Sequence, residues 1–215
     1  AYVRYFDVEA LPPDVVFEGN SGANDTSSQA VSMTITEYAD TPGLYVGRGL
    51  GSIDPAVYGS TSDDWDWWSF EGQLGDRVSV SVDTPDSDLN PYVYLYDASG
   101  TSLVSDDYSG PGNDSYISGY ALPADGIYYV RVGKYRYSSA PGTYQVRVDI
   151  GRATEIETDA NYSNDSIPGA DPLSWESSGT QRTATVGGTV MAGESGNVDE
   201  DYYALGVVEA GETIL

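Results

Sequence analysis

Period-two alternation constrains this chain more than any other feature. In Arg77-Val78-Ser79-Val80-Ser81-Val82 the three valines share one face. In Pro91–Tyr96, Val93 and Leu95 point one way and Tyr92, Tyr94 and Tyr96 the other. Ile127–Val132 sets Tyr128, Val130 and Val132 against Tyr129 and Arg131, and Tyr144–Val148 alternates again. A spacing of two belongs to a strand with one face on a core, not to an amphipathic helix. The separators are turn formers: Asp97-Ala98-Ser99-Gly100, Pro123-Ala124-Asp125-Gly126 and Ala140-Pro141-Gly142. One-sided alternation predicts antiparallel sheets. Short strands at roughly 8–15-residue spacing predict an all-β chain, built as a sandwich or a jelly roll.

The chain also repeats itself. Asn24-Asp25-Thr26, with Ala30 after it, recurs as Asn164-Asp165-Ser166 with Ala170. Acids and amides precede both: Glu18 and Asn20 in the first copy, Glu157, Asp159 and Asn161 in the second. Asp64-Trp65-Asp66-Trp67-Trp68-Ser69-Phe70 returns as Asp199-Glu200-Asp201-Tyr202-Tyr203-Ala204-Leu205, and Leu74-Gly75-Asp76-Arg77-Val78 as Ala210-Gly211-Glu212-Thr213-Ile214. Ordered matches at a nearly constant offset are the signature of tandem modules. Tyr2-Val3-Arg4-Tyr5 is also like Gln145-Val146-Arg147-Val148. The expected organisation is therefore a terminal strand of a preceding module, or a donor strand, at 1–15, a complete module at 16–150, and a linker with the first half of a second module at 151–215. A half-sandwich exposes a sheet edge and an apolar face that something must complete.

Composition limits the chemistry. Lys and Arg number 9 against 34 acids, a net charge of −25 over 215 residues, and Lys134 is the single lysine. Such a surface repels phosphate backbones and anionic lipid heads, so no nucleic-acid partner and no membrane association are expected. No apolar run reaches the ~18 residues of a membrane span. No signal-peptide pattern is seen, and a start at Ala1 suits a mature or excised piece. Cys and His are both absent. Disulfides, thiolate or imidazole metal sites and His-based triads are thereby excluded, and any metal must be a hard, oxygen-held cation such as calcium. High Asp with one Lys also suits a salty habitat. Lys134 is the only lysine that could act as a base, and nothing suggests a cleft that would raise the pKa of one carboxylate of a pair, so no enzyme is expected.

The ordered motifs resemble the bacterial pre-peptidase C-terminal domain family. The resemblance runs through the Asn24-Asp25 lead-in, Asp64-x-Asp66-Trp67-Trp68-x-Phe70, Leu74-Gly75-Asp76-x-Val78, Asp88–Asp97, Gly126–Val132 and Gly142-Thr143-Tyr144, covering most of residues 18–150. The segment Glu37–Ser62 is longer than this family leads one to expect. The resemblance implies a secreted or cell-surface antiparallel β-sandwich of jelly-roll type, often calcium-binding, of the kind appended to proteases, glycosidases and adhesins, with related collagenase modules that bind collagen. It also implies calcium ligands from the lead-in and from the loop before the Trp67–Phe70 strand. In the first copy these are Glu18, Asn20, Asn24, Asp25, Asp64 and Asp66. In the second they are Glu157, Asp159, Asn164, Asp165, Asp199 and Asp201. The competing reading makes Asn-Asp a turn and the other acids a solvated loop.

Two further motifs need weighing. Asp86-Ser87-Asp88-Leu89-Asn90 imitates the start of an EF-hand, but the sixth position is Pro91, whose fixed φ cannot make the left-handed turn. Tyr92, Tyr94 and Tyr96 could hold a ligand by stacking; the bland alternative is cross-strand pairing on a sheet face or contact with a neighbouring module. The expected function is a non-catalytic, calcium-binding extracellular repeat with a structural or adhesive role, self-associating into fibres by strand complementation. The alternative is an accessory module of a secreted hydrolase that holds polysaccharide or matrix protein. Assembly of filaments favours the first, and retention on a glycan or collagen the second.

Overall fold

The computed structural model describes residues 14–19, 23–54, 64–136, 140–194, 196–211 and 213. Residues 1–13, which hold the expected donor strand, lie outside them, as do Asn20, Ile214 and Leu215. The strands of the first unit are β1 (Val15–Phe17), β2 (Val31–Ser32), β3 (Thr36–Glu37), β4 (Leu44–Ile53), β5 (Trp65–Gly72), β6 (Arg77–Asp83), β7 (Pro91–Tyr96), β8 (Ser102–Asp106), β9 (Ser115–Ala121), β10 (Gly126–Lys134) and β11 (Gly142–Gly151). One sheet runs β1-β4-β11-β6-β9 with β3 also on β4, and the other runs β2-β5-β10-β7-β8. Among the described residues no helix is long and apolar enough to cross a membrane.

The alternating segments pair as their pattern requires. Val78, Val80 and Val82 of β6 lie beside Val146, Val148 and Ile150 of β11 in one sheet and face Val93 and Leu95 of β7 and Val130 and Val132 of β10 in the other, all in one core. The two sheets thus meet face to face as a β-sandwich, and burying these side chains is worth ~25 cal/mol per Å² of apolar area. Trp68 is fully buried at 0% exposure, while Trp67 lies on the outer face. The Trp68 indole Nε1 donates to Tyr144 Oη at 3.0 Å. Strand β4 occupies much of the long segment noted in the sequence. Its inner face carries Gly49 because the Trp68 ring fills the space: a Cβ there would stand 2.7 Å from Trp68 Cζ3 and 2.9 Å from Val146 Cγ1.

The outer face of the β5–β10–β7 sheet is aromatic. Trp67 stands 5.1 Å from Tyr96, Tyr92 4.4 Å from Tyr94, and Trp67 6.1 Å from Tyr129, centroid to centroid. The Arg131 guanidinium is inserted among them, 4.0 Å from the Trp65 ring and 4.4 Å from Tyr94. These rings are half-buried by one another. Asp97, which follows β7, closes its own turn by accepting from Ser99 Oγ, Ser99 N–H and Thr101 N–H, which holds its pKa below the usual carboxylate range.

Beyond β11 come β12 (Glu155–Ile156), β13 (Asp171–Pro172), β14 (Glu176–Ser178), β15 (Gln181–Thr183), β16 (Val186–Gly187) and β17 (Tyr203–Ala204). They form three two-stranded pairs. β12 lies parallel to β16 as β1 does to β4, and β13 parallel to β17 as β2 does to β5. Val31 sits opposite Trp68, and Asp171 opposite Tyr203.

Candidate metal centre

The lead-in of the first unit crosses from one sheet to the other. β1 pairs with β4 in one sheet and β2 with β5 in the second, so the lead-in joins the two sheets. At this crossing Glu18 N–H donates to Leu50 O at 3.1 Å, which turns the Glu18 side chain inward. Its carboxylate accepts Ser52 N–H at 2.8 Å and Ser52 Oγ at 2.7 Å. Asp66 lies within β5 rather than in the loop before it, and its carboxylate is buried. It accepts from Tyr144 Oη at 2.7 Å and lies against Glu18. Asp64 accepts Asp54 N–H at 2.6 Å. Trp67 N–H donates to Asn24 O at 2.9 Å, which fixes Asn24 over the same spot.

The electrostatics are unfavourable as they stand. Burial, then the charge of Glu18, pushes the Asp66 pKa well above the carboxylate range. Burial, with Asp25, Asp54 and Glu18 nearby, raises Asp64 to about 6. Asn24 is 1% exposed, yet neither its Oδ1 nor its Nδ2 has a hydrogen-bond partner. An unsatisfied buried amide costs roughly 1–3 kcal/mol, and such groups are rare.

The second cluster repeats this wiring 135–140 residues on. Glu157 N–H donates to Gly187 O at 3.0 Å, and Tyr202 N–H to Asn164 O at 3.1 Å. The Glu157 carboxylate accepts Thr189 N–H, as Glu18 accepts Ser52, and Asp199 accepts Met191 N–H, as Asp64 accepts Asp54. Tyr203, at the position of Trp68, donates Oη to Glu157 at 2.8 Å. Carboxylate oxygens of Asp159, Asp199 and Asp201 lie within 4.8 Å of one another. Asn164 is 0% exposed, and again neither side-chain atom has a partner. One oxygen each of Asp159, Asp199 and Asp201 is likewise buried and unpartnered. Burial first, then neighbouring acids, raises Glu157 and Asp159 to about 7. Asp165 stands at the rim, accepting Glu200 N–H at 2.9 Å and Asn197 Nδ2 at 2.5 Å.

Most of the acids and amides singled out in the sequence therefore converge in two clusters. Asp25 is exposed and contributes its charge beside Asp64, and Asn20 lies outside the described residues. The supports that sequence reading did not supply are Ser52, Thr189 and Tyr144. They lie 32–78 positions from the carboxylates they hold, beyond any local pattern. Unpartnered carboxylate and carboxamide oxygens converging in a buried spot form a donor set that suits a hard cation, since calcium takes six to eight oxygens. Glu18, Asn24, Asp64 and Asp66 would hold the first ion, with Asp25 at its edge. Glu157, Asp159, Asn164, Asp199 and Asp201 would hold the second.

No curated protein matches the chain. The pre-peptidase C-terminal domain of collagenase from Bacillus anthracis is similar at 20% identity, over 47% of this chain and 86% of that one, with a TM-score of 0.36. PliG, a periplasmic inhibitor of g-type lysozyme, is similar in two species. The Aeromonas hydrophila protein shares 13% identity over 64% of this chain and 97% of its own, with a TM-score of 0.37. The Salmonella Typhimurium protein shares 24% over 49% and 90%, with a TM-score of 0.33. Residues 64–134, from Asp64 of the first cluster through β10, match the family described as the bacterial pre-peptidase C-terminal domain. The likeness to that family is thus carried by residues 64–134, which hold β5, β6, β7, β8, β9 and β10.

Proposed function

We propose that the protein is a non-catalytic, secreted or surface-exposed repeat whose β-sandwich is stiffened by calcium at each lead-in. The buried carboxamides of Asn24 and Asn164, both without partners beside converging carboxylates, carry this reading. A cation at either site ties two strands of different sheets together and offsets the repulsion among the acids. The role is structural, and self-association supports it. β4 and β5 each have neighbours on both sides, whereas among the described residues β16 and β17 each have one. Val190 and Val207 beside them are 76% and 83% exposed. Added strands from a second copy, or from more of the same polypeptide, would complete that half, and addition to an open edge proceeds by main-chain hydrogen bonding.

The test is calorimetry with sedimentation, each in calcium and in chelator. At ~2 mM calcium and a Kd of ~0.1 mM, each site contributes roughly 1.8 kcal/mol. The expected gain in Tm is a few degrees per site, at about 2–4 °C per kcal/mol. Asp66→Asn should abolish the first gain and Asp201→Asn the second, and the intact chain should sediment above its monomer mass. Identical melting with and without calcium, for a monomer, overturns the reading.

A second reading, an accessory module that holds polysaccharide or matrix protein, rests on the aromatic layer around Arg131. A glycan and matrix-protein array probed with the protein and with its Tyr92/Tyr94/Tyr96 triple-alanine variant decides it. Retention lost in the folded variant supports it, and no retention by the unaltered protein refutes it.

A further inference from the structure

The second acid cluster is built directly onto the first sandwich. Strand β9 ends the six-stranded sheet, and its Ser118 hydroxyl grips the incoming chain: Oγ donates to Glu157 O at 3.2 Å and accepts Asp159 N–H at 2.8 Å. The next residue is Gly119, with φ +58°, where a Cβ would stand 2.8 Å from Thr158 Cγ2 and 3.2 Å from Glu157 O. Only a glycine allows this approach.

The far end of the same segment is held as well. Asn161 donates its N–H to Ser109 O at 3.0 Å and its Nδ2 to Ser109 Oγ at 2.9 Å. Asn161 and Tyr162 both have left-handed backbones, φ 58° and 56°, a conformation that non-glycine residues keep only when their surroundings impose it. Ser109 is itself fixed, because Asp106 accepts Ser109 N–H at 2.9 Å, Tyr108 N–H at 3.1 Å and Tyr116 N–H at 2.8 Å. From the other side, Glu194 accepts Gly112 N–H at 3.1 Å. Asp159 is thus suspended between two serines of the first sandwich, with one buried oxygen unpartnered and a carboxylate oxygen within 4.8 Å of those of Asp199 and Asp201.

We infer that the second site is a joint: Ser118 and Ser109 are positioning residues for Asp159, so calcium binding there and the order of β9 with the 106–114 loop are thermodynamically coupled. The inference rests on the calcium reading of the second cluster and deepens it. Coupling is reciprocal, so calcium tightens the edge of the first sandwich, and loosening that edge weakens calcium by the same factor.

The experiment uses the intact chain with calcium chloride. Isothermal titration gives site affinities, and amide hydrogen exchange with calcium or chelator reads residues 106–121. In the unaltered protein calcium should slow exchange there at least ~5-fold, Asp201→Asn should remove the effect, and Asp25→Asn should leave it, as expected for coupling in the usual 5–150-fold range. Ser118→Ala should weaken the second site about tenfold and leave the first unchanged, and Ser118→Thr, which keeps the hydroxyl, should restore it. Ser109→Ala gives a second route to the same weakening should Ser118→Ala misfold. If calcium binds the second cluster with equal affinity in both alanine variants while exchange at 106–121 ignores calcium, the joint is refuted and the site stands. If Asp201→Asn leaves every calcium heat unchanged, the site itself is refuted, and the joint with it.

Discussion

Trp68→Ala should bring the first sandwich to the edge of unfolding. The ring is fully buried between Gly49, Val146 and the β5 core, so its removal leaves a cavity that the surrounding sheets cannot close. Phe or Trp to Ala changes of this kind cost about 3–5 kcal/mol, against a total of ~5–15 kcal/mol for a domain. The loss also frees Tyr144 from the indole N–H, and Tyr144 in turn orients Asp66. Trp67→Ala is the control. That ring lies on the outer face against Tyr96 and Tyr129, and its removal should cost about 1–2 kcal/mol. Urea denaturation measures both. A Trp68→Ala midpoint that matches the unaltered protein would refute the assignment of this ring to the core.

In chelator, the protein should grow less stable from pH 4 to pH 8. Asp64 is raised to about 6, Glu157 and Asp159 to about 7, and Asp66 is raised further by burial and Glu18. An acid whose folded value lies above its unfolded value near 4 binds its proton more tightly in the folded state. The destabilisation is therefore absent below about pH 4, grows as the unfolded chain ionises first, and is complete above the folded values. Asp64 is partly exposed, and the acids of each cluster titrate against one another, so the summed effect is of order 3 kcal/mol rather than the full shifts. At about 2–4 °C per kcal/mol, Tm in chelator should be roughly 6–12 °C higher at pH 4 than at pH 8. Calcium needs the ionised carboxylates and should flatten or reverse this slope. Asp66→Asn removes the most strongly shifted group and should reduce the slope even in chelator. A Tm that rises with pH in chelator would contradict the burial of these acids.

The strands that read clearly in the sequence are those whose inner positions carry large apolar side chains of their own. Val78, Val80 and Val82 need no partner to announce a buried face, and Val93, Leu95, Val130 and Val132 behave the same way. Strand β4 does not read this way. Three of its inner positions are glycines, because Ile35 fills the space at Gly47, Trp68 of the facing sheet that at Gly49 and Tyr144 of the neighbouring β11 that at Gly51, so a test for alternating hydrophobicity passes over it. Strand β9 is hidden for another reason. Tyr116 and Ile117 are both buried, and the chain after β11 lies against this strand, so two faces are covered and no alternation survives. The clusters were legible through repetition, since the same acids return in the same order. Their supports were not, because Ser52, Tyr144 and Ser118 meet their partners only after the sheets have formed.

The parallel pairing of β1 with β4 has a mechanical consequence. Val15 lies beside Arg48, Arg48 beside Arg147, and Gly151 is four positions farther along β11. The chain therefore enters and leaves the first sandwich on one side, with a single strand between the two points. Tension along the polypeptide runs through β1, β4 and β11 and bypasses β5, β7 and β10. Glu18 sits at the end of that load path, joined to β4 through Ser52 and beside Asp66 of the opposite sheet. Resistance to pulling thus depends on a few strands and the acid cluster at their margin, while resistance to heat resides in the valine core.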